Sequence, residues 1–319
     1  LVVSDESTNF VVNLKIIFMK KTLLMLFLLA LKISLWGQVK EPVMNKGDYY
    51  SFEMNDGNSI IGKFIDKDDN NFYIQSESLG EITLLRSEVK RIKTMIEVAK
   101  GKAWFPNPHE TRYLFMPSAF SLAKGEAYYQ NTYILFNSIN YGITDRFTLG
   151  GGLSILGLFP TILPGQYILT PKYSASMSDN FHFGGGMLIG LSTYPNFFGS
   201  NEGIHADFGG IMYAMGTLGN REKNLTLGLG FGYAGGQVSE TPVITISGMT
   251  RIGRKVSFVS ENWWVPGTDL FDGGGTLVVS YALRIFGEKM SVDIGFFNQR
   301  DIFEVFPLGI PWLDFAYKF

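Results

Sequence analysis

The chain has 319 residues, a net charge of -2 and no cysteine, which excludes disulfides, thiolate metal sites and a cysteine lipid anchor and offers no basic surface for nucleic acid. Aromatics make up 15% and glycine contributes 37 residues, against 18% charged residues. Apart from the N-terminal leader no run approaches the ~20 apolar residues of a spanning helix, so the apolar content is expected in strands.

Lys20-Lys21 precede an apolar run, Leu23–Leu31, with Ile33–Gly37 beyond Lys32. This is the charge and hydropathy order of a secretory signal over 19–37, with cleavage near Gly37–Gln38. Residues 1–18 lie upstream of Met19 and are expected to be a non-native or disordered extension.

Residues 43–97 are more charged and less aromatic than residues 112–319. Tyr49–Met54, Ser59–Ile65, Asn71–Glu77 and Glu81–Leu85 read as short strands, and Asn55-Asp56-Gly57 supplies a hairpin turn. So many short strands predict a small curled sheet or barrel, and the pattern resembles the SH3-like or Sm-like domains of exported proteins. Asp66, Asp68, Asn70 and Glu77 have calcium-loop spacing, but the flanks are strands and Asn replaces the required Gly. A solvated hairpin turn is expected instead.

A linker is predicted over 98–111. From Arg112 to Phe319 apolar and small or polar residues alternate in segments of ~10 residues. In Leu225–Tyr233 the odd positions are Leu, Leu, Leu, Phe and Tyr, and the even ones are Thr or Gly. Alternate side chains of a strand face opposite sides, so one face is greasy and the other small or polar. Segments at 112–120, 126–139, 146–157, 166–177, 181–192, 203–217, 224–236, 241–251, 255–264, 274–286, 289–298 and 311–319 make about twelve strands. Short polar turns alternate with longer loops at Leu158–Gly165, Tyr194–Gly203, Pro266–Gly273 and Arg300–Ile310. The predicted fold is therefore all-β: a transmembrane antiparallel up-and-down barrel of about 12 strands after a small β domain.

Leu313, Phe315, Tyr317 and Phe319 alternate with Asp314, Ala316 and Lys318. This end resembles the terminal strand of Gram-negative outer-membrane barrel proteins. The resemblance implies an outer-membrane location, contact with lipid, and reading of these residues by the barrel-assembly machinery. A periplasmic partner of the small domain is a further expectation.

Aromatics at strand ends, among them Tyr128, Tyr129, Tyr133, Tyr194, Phe197, Phe198, Trp263 and Trp264, are expected in interface girdles. Gly230–Gly235 matches a dinucleotide-binding spacing but continues a strand alternation, so no such site is expected. The same alternation turns Lys172, His182, His205, Asp207, Arg251, Arg284, Asp293, Asp314 and Lys318 inward. Those charges imply either a narrow polar channel for small solutes or a packed interior held by ion pairs, as in a structural or envelope-interaction barrel. His182, His205 and Asp207 are the residues on which a hydrolase, an acyltransferase or a metal site would draw. No enzyme activity, metal or cofactor is predicted.

Overall fold

The computed structural model describes residues 42–99, 102–158, 163–195, 204–267 and 275–319. The leader segments 1–18 and 19–37, with Phe197 and Phe198, lie outside the described residues. The chain divides into two compact units, 1–93 and 94–319.

In the first unit the strands are β1 (Tyr49–Met54), β2 (Ser59–Lys67), β3 (Asn71–Ser76), β4 (Gly80–Leu85) and β5 (Val89–Thr94). They form a five-stranded sheet in the order β4-β3-β2-β1-β5. Apolar residues at alternate positions put Tyr50, Phe52, Phe64, Phe72, Ile74 and Leu84 into one core. Gly57 takes the positive φ (+88°) that the β1–β2 turn requires. At the β2–β3 turn, Asp68 Oδ1 accepts the backbone N–H groups of Asn70 and Asn71 at 2.8 and 2.7 Å. Its Oδ2 accepts the Tyr73 hydroxyl at 2.7 Å, and Asp66 pairs with Lys46 at 2.5 Å. These carboxylates close a hairpin instead of surrounding a cation.

The second unit starts with a short hairpin, β6 (Ile96–Ala99) and β7 (Lys102–Trp104). Then come β8 (Ala127–Thr132), β9 (Phe136–Gly142), β10 (Phe147–Ser154), β11 (Gly165–Ser178), β12 (Phe181–Pro195) and β13 (Ile204–Gly219). They are followed by β14 (Lys223–Ala234), β15 (Gln237–Val238), β16 (Val243–Arg251) and β17 (Val256–Val265). The chain ends with β18 (Thr276–Phe286), β19 (Met290–Asn298), helix α1 (Arg300–Val305) and β20 (Ile310–Lys318). Every pairing is antiparallel, and β20 returns to β8 to close a barrel of twelve strands; β15 only extends the β14 hairpin. The connections 143–146, 179–180, 220–222, 252–255 and 287–289 gather at one end, with the start of β8 and the end of β20. The other connections, from the three-residue β8–β9 turn to the longer one carrying α1, lie at the other end.

Three segments differ from expectation: the expected linker 98–111 contains the end of β6 and all of β7, and the other two differences cancel in the strand count. Residues 112–120 are not a strand. Pro117 lacks the N–H a ladder needs, and the segment makes only an isolated bridge between Arg112 and Pro117. The expected strand 126–139 is instead a hairpin, β8 and β9, turning at Tyr133 and Ile134 with φ of +53° and +66°. No glycine marks that turn. The Asn131 amide holds it, accepting the Ile134 N–H and donating to the Ile134 carbonyl, both at 3.1 Å.

The two barrel faces have opposite chemistry. Outward positions carry Leu225, Leu227, Leu229, Ile246, Leu283 and Ile294, all exposed, with Leu227 at 60%. Inward positions carry Thr226, Ser247, Ser257, Glu261, Arg284 and Asp293, all buried, with Arg284 at 0%. Among the described residues no helix is long and apolar enough to cross a membrane.

Candidate functional site

The inward polar residues converge on residues 105–122, which enter the barrel between β7 and β8. The segment is a hairpin: Tyr113 N–H donates to Met116 O and Ser118 N–H to Thr111 O, both at 2.9 Å, with the tip at Leu114-Phe115. Both arms leave at the short-connection end. There Asn107 N–H donates to Glu222 Oε1 at 2.9 Å, and the Ser121 hydroxyl donates to the Asp145 carbonyl at 2.6 Å. Arg221 pairs with Glu110 at 2.6 Å at the same end. Burial raises the pKa of Glu222, partly offset by the Asn107 N–H and by Arg251 at 2.8 Å. The hairpin is thus a plug, tethered by the turns and inserted toward mid-barrel.

A hairpin this short leaves backbone groups unpaired, and burying them without partners costs ~1–3 kcal/mol each. The barrel wall supplies the partners. Glu261 Oε2 accepts the N–H groups of Leu114, Phe115 and Met116 at 3.0, 2.9 and 2.8 Å. Its Oε1 accepts the Trp263 indole N–H at 2.7 Å. Arg284 makes a bidentate pair with Asp293, both contacts at 2.8 Å. Its remaining N–H groups reach the carbonyls of Tyr113 at 2.6 Å, Arg112 at 3.1 Å, and His109. Lys172 Nζ donates to the carbonyls of Phe120, Ser118 and Thr111 at 2.7, 3.0 and 3.4 Å. Tyr113 hydroxyl meets Asn224 and Thr226 at 2.7 and 2.6 Å. An acceptor, a guanidinium and an ammonium on three wall positions therefore complete the plug's backbone bonding.

The predicted inward residues fall into three groups. Lys172 and Arg284 meet the plug directly, Asp293 acts on it through Arg284, and Asp314 meets it through Arg112 at 3.4 Å, with Thr132 at 2.7 Å and Gln130 as further donors. Arg251 and Lys318 sit at the short-connection end, Arg251 on Glu222 and Lys318 on Glu126 at 3.2 Å and Glu110 at 3.7 Å. His182, His205 and Asp207 do not meet. His182 pairs across β12–β13 with Thr217, twelve positions along β13 from His205, which is about 40 Å at ~3.3 Å per residue. His182 packs on Phe120, while His205 stacks on Tyr194, whose hydroxyl donates to Asp207 at 2.8 Å. Joint metal binding by these three residues is ruled out by that separation.

Ligand-type atoms of His109, Asp293 and Asp314 lie within 4.8 Å of one another, all buried. Arg284 already occupies both Asp293 oxygens, and Arg112 adds a second guanidinium. Those two positive charges oppose a cation, so Asp293 and Asp314 read as the anionic half of an ion-pair network, with the His109 ring packed beside them and neither of its nitrogens hydrogen-bonded.

Sequence reasoning missed the plug and Glu261. The signal was present: Pro106, Pro108 and Pro117 punctuate 105–122, and Glu261 shares the inward parity of Val259 and Trp263. Two girdle assignments are also corrected. Tyr128 is buried against His109, and Trp263 faces inward beside Phe115, while its neighbour Trp264 faces out.

No protein-family model matches the chain, and no curated protein matches it. Among solved structures it is similar to a loop-L8 deletion mutant of OmpT, an outer membrane protein of Vibrio cholerae. That similarity has 10% identity and a TM-score of 0.33, and covers 85% of this chain and 96% of the other. At this level it adds nothing to the strand register, on which the barrel assignment stands.

Proposed function

We propose that the chain is an outer-membrane β-barrel of a Gram-negative envelope, closed at rest by its own plug, with an SH3-like domain on the periplasmic side. The observation that carries the reading is the inverted barrel: exposed leucines and isoleucines outside, buried charges inside. In water that outer face is a large apolar patch without a partner; in hydrocarbon it is the favourable surface, and closure leaves no strand edge unpaired. On this reading Leu313, Phe315, Tyr317 and Phe319 serve the barrel-assembly machinery.

Of the two functions the inward charges allow, the plug favours the packed one. Lys172, Glu261 and Arg284 are saturated by plug backbone and wall partners, which suits a structural or envelope-interaction barrel better than a standing solute channel. The small domain is then the part placed to meet periplasmic partners. Neither reading requires enzyme activity.

The test is reconstitution. The full chain is expected to float with phospholipid vesicles and to migrate differently on gels before and after boiling. A barrel that stays monodisperse in detergent-free buffer overturns the membrane reading.

A further inference from the structure

The tip of the plug leans on β17 and β18 through Glu261 and Arg284, while its arms also reach β11 and β14 through Lys172 and Tyr113. Opposite, between the plug and strands β8–β16, it leaves a cavity of about 100 Å3. The part toward the long connections is apolar, lined by Ile168, Leu188, Ile211, Val243, Phe115 and Trp263. The charged groups that reach it are already engaged. Lys172 donates to three carbonyls, and Arg112 faces Asp314. No unbalanced charge is available to hold an ion.

Three polar atoms in the lining are different. The hydroxyls of Thr148 and Thr245 and the Nε–H of Arg112 are buried without a hydrogen-bond partner. Buried hydroxyls and N–H groups are normally paired, and of these three Thr245 is the one beside the aliphatic lining, two residues along β16 from Val243. Thr245 lies directly across β16–β17 from Trp263.

We infer that this cavity binds a small, uncharged, mostly hydrocarbon molecule carrying one hydrogen-bonding oxygen, such as a short-chain alcohol or ketone. The aliphatic part of the cavity is suited to a short-chain guest, and a few placed polar groups orient such a guest. The aliphatic wall takes the chain, and the Thr245 hydroxyl meets the oxygen. The inference goes beyond the closed-barrel reading and needs only the position of the plug.

Trp263 and Trp264 provide the test, because one faces the cavity and the other faces outward. Single-tryptophan forms of the full chain, with every other tryptophan replaced by Phe, are titrated in vesicles with 6-bromohexan-1-ol, whose bromine quenches nearby indole. Saturable quenching of Trp263, with only non-saturable quenching of Trp264, is expected. Ile211→Phe fills the cavity and is expected to weaken the saturable phase at least about tenfold. Thr245→Val is expected to weaken bromohexanol but not 1-bromohexane. Non-saturable quenching at both tryptophans, or saturation unchanged by Ile211→Phe, overturns the inference. Brominated phospholipid is the separate arm: if it fails to quench Trp264, the membrane reading falls and the cavity inference does not. If the tryptophan-depleted forms do not fold, native mass spectrometry of the intact chain decides. One bromohexanol retained by wild type and lost in Ile211→Phe supports the inference, and none retained overturns it.

Discussion

Arg284 on β18 and Asp293 on β19 face each other across the strand pair at 2.8 Å, and the same guanidinium holds the carbonyls of Tyr113 and Arg112. One residue therefore both neutralises a buried carboxylate and fastens the plug to the wall. Removing one partner of such a pair costs about 3–5 kcal/mol because the other charge stays buried and unpaired. Arg284→Met is expected to lower barrel stability by about that amount in urea unfolding from vesicles. The double variant Arg284→Met/Asp293→Leu is expected to recover most of the loss while leaving the plug more exchangeable. Equal stability of the two variants contradicts this assignment.

Glu261 is the acceptor for three consecutive plug N–H groups. Glu261→Gln replaces the charge and one acceptor with a donor, leaving buried N–H groups at ~1–3 kcal/mol each. Hydrogen exchange at residues 114–116 is expected to accelerate at least tenfold, with exchange in β18 and β19 unchanged. Uniform acceleration across the barrel would assign Glu261 to global stability instead.

The period-2 rhythm made the barrel legible because every residue of a spanning strand must choose a face, as Leu225–Tyr233 does. Inward charges such as Arg284 followed from the same parity. The plug was hidden because Tyr113, Leu114, Met116 and Phe120 imitate an amphipathic strand: they are buried among wall residues, and burial in a lumen selects the same residue types as a core. The β8–β9 hairpin was hidden because Tyr133-Ile134 carries no glycine, its turn being held by the Asn131 side chain. Which wall residue meets which plug atom depends on register and shear, and no local pattern encodes those. The separation of His182 from His205 is of this kind.

The outward face gives a third prediction. Leu227 lies mid-strand on β14 and is exposed. Leu227→Arg is expected to cost about 2–4 kcal/mol in a bilayer, the usual range for a charge at the lipid midplane of a barrel. In a water-soluble barrel the same change is neutral or stabilising. The sign of the change in vesicle unfolding separates the two.

In the small domain, Asp68 is held at a pKa of about 2, first by the Tyr73 hydroxyl and then by the Asn70 and Asn71 groups. A folded pKa below the unfolded value contributes stability that is present above pH ~4. That contribution is lost as pH falls toward 2. Asp68→Ala is therefore expected to destabilise the small domain at pH 7, by an amount that shrinks as pH falls toward 2 and below. A difference that persists unchanged at pH 2 contradicts the role of its charge.

The closed lumen is tested most directly by planar-bilayer conductance of the full chain beside a form lacking residues 106–122. The intact chain is expected to be silent and the deletion form to conduct steadily, since the wall charges on Lys172, Glu261 and Arg284 would then line open water. Steady conductance of the intact chain, equal to that of the deletion form, would contradict the plug.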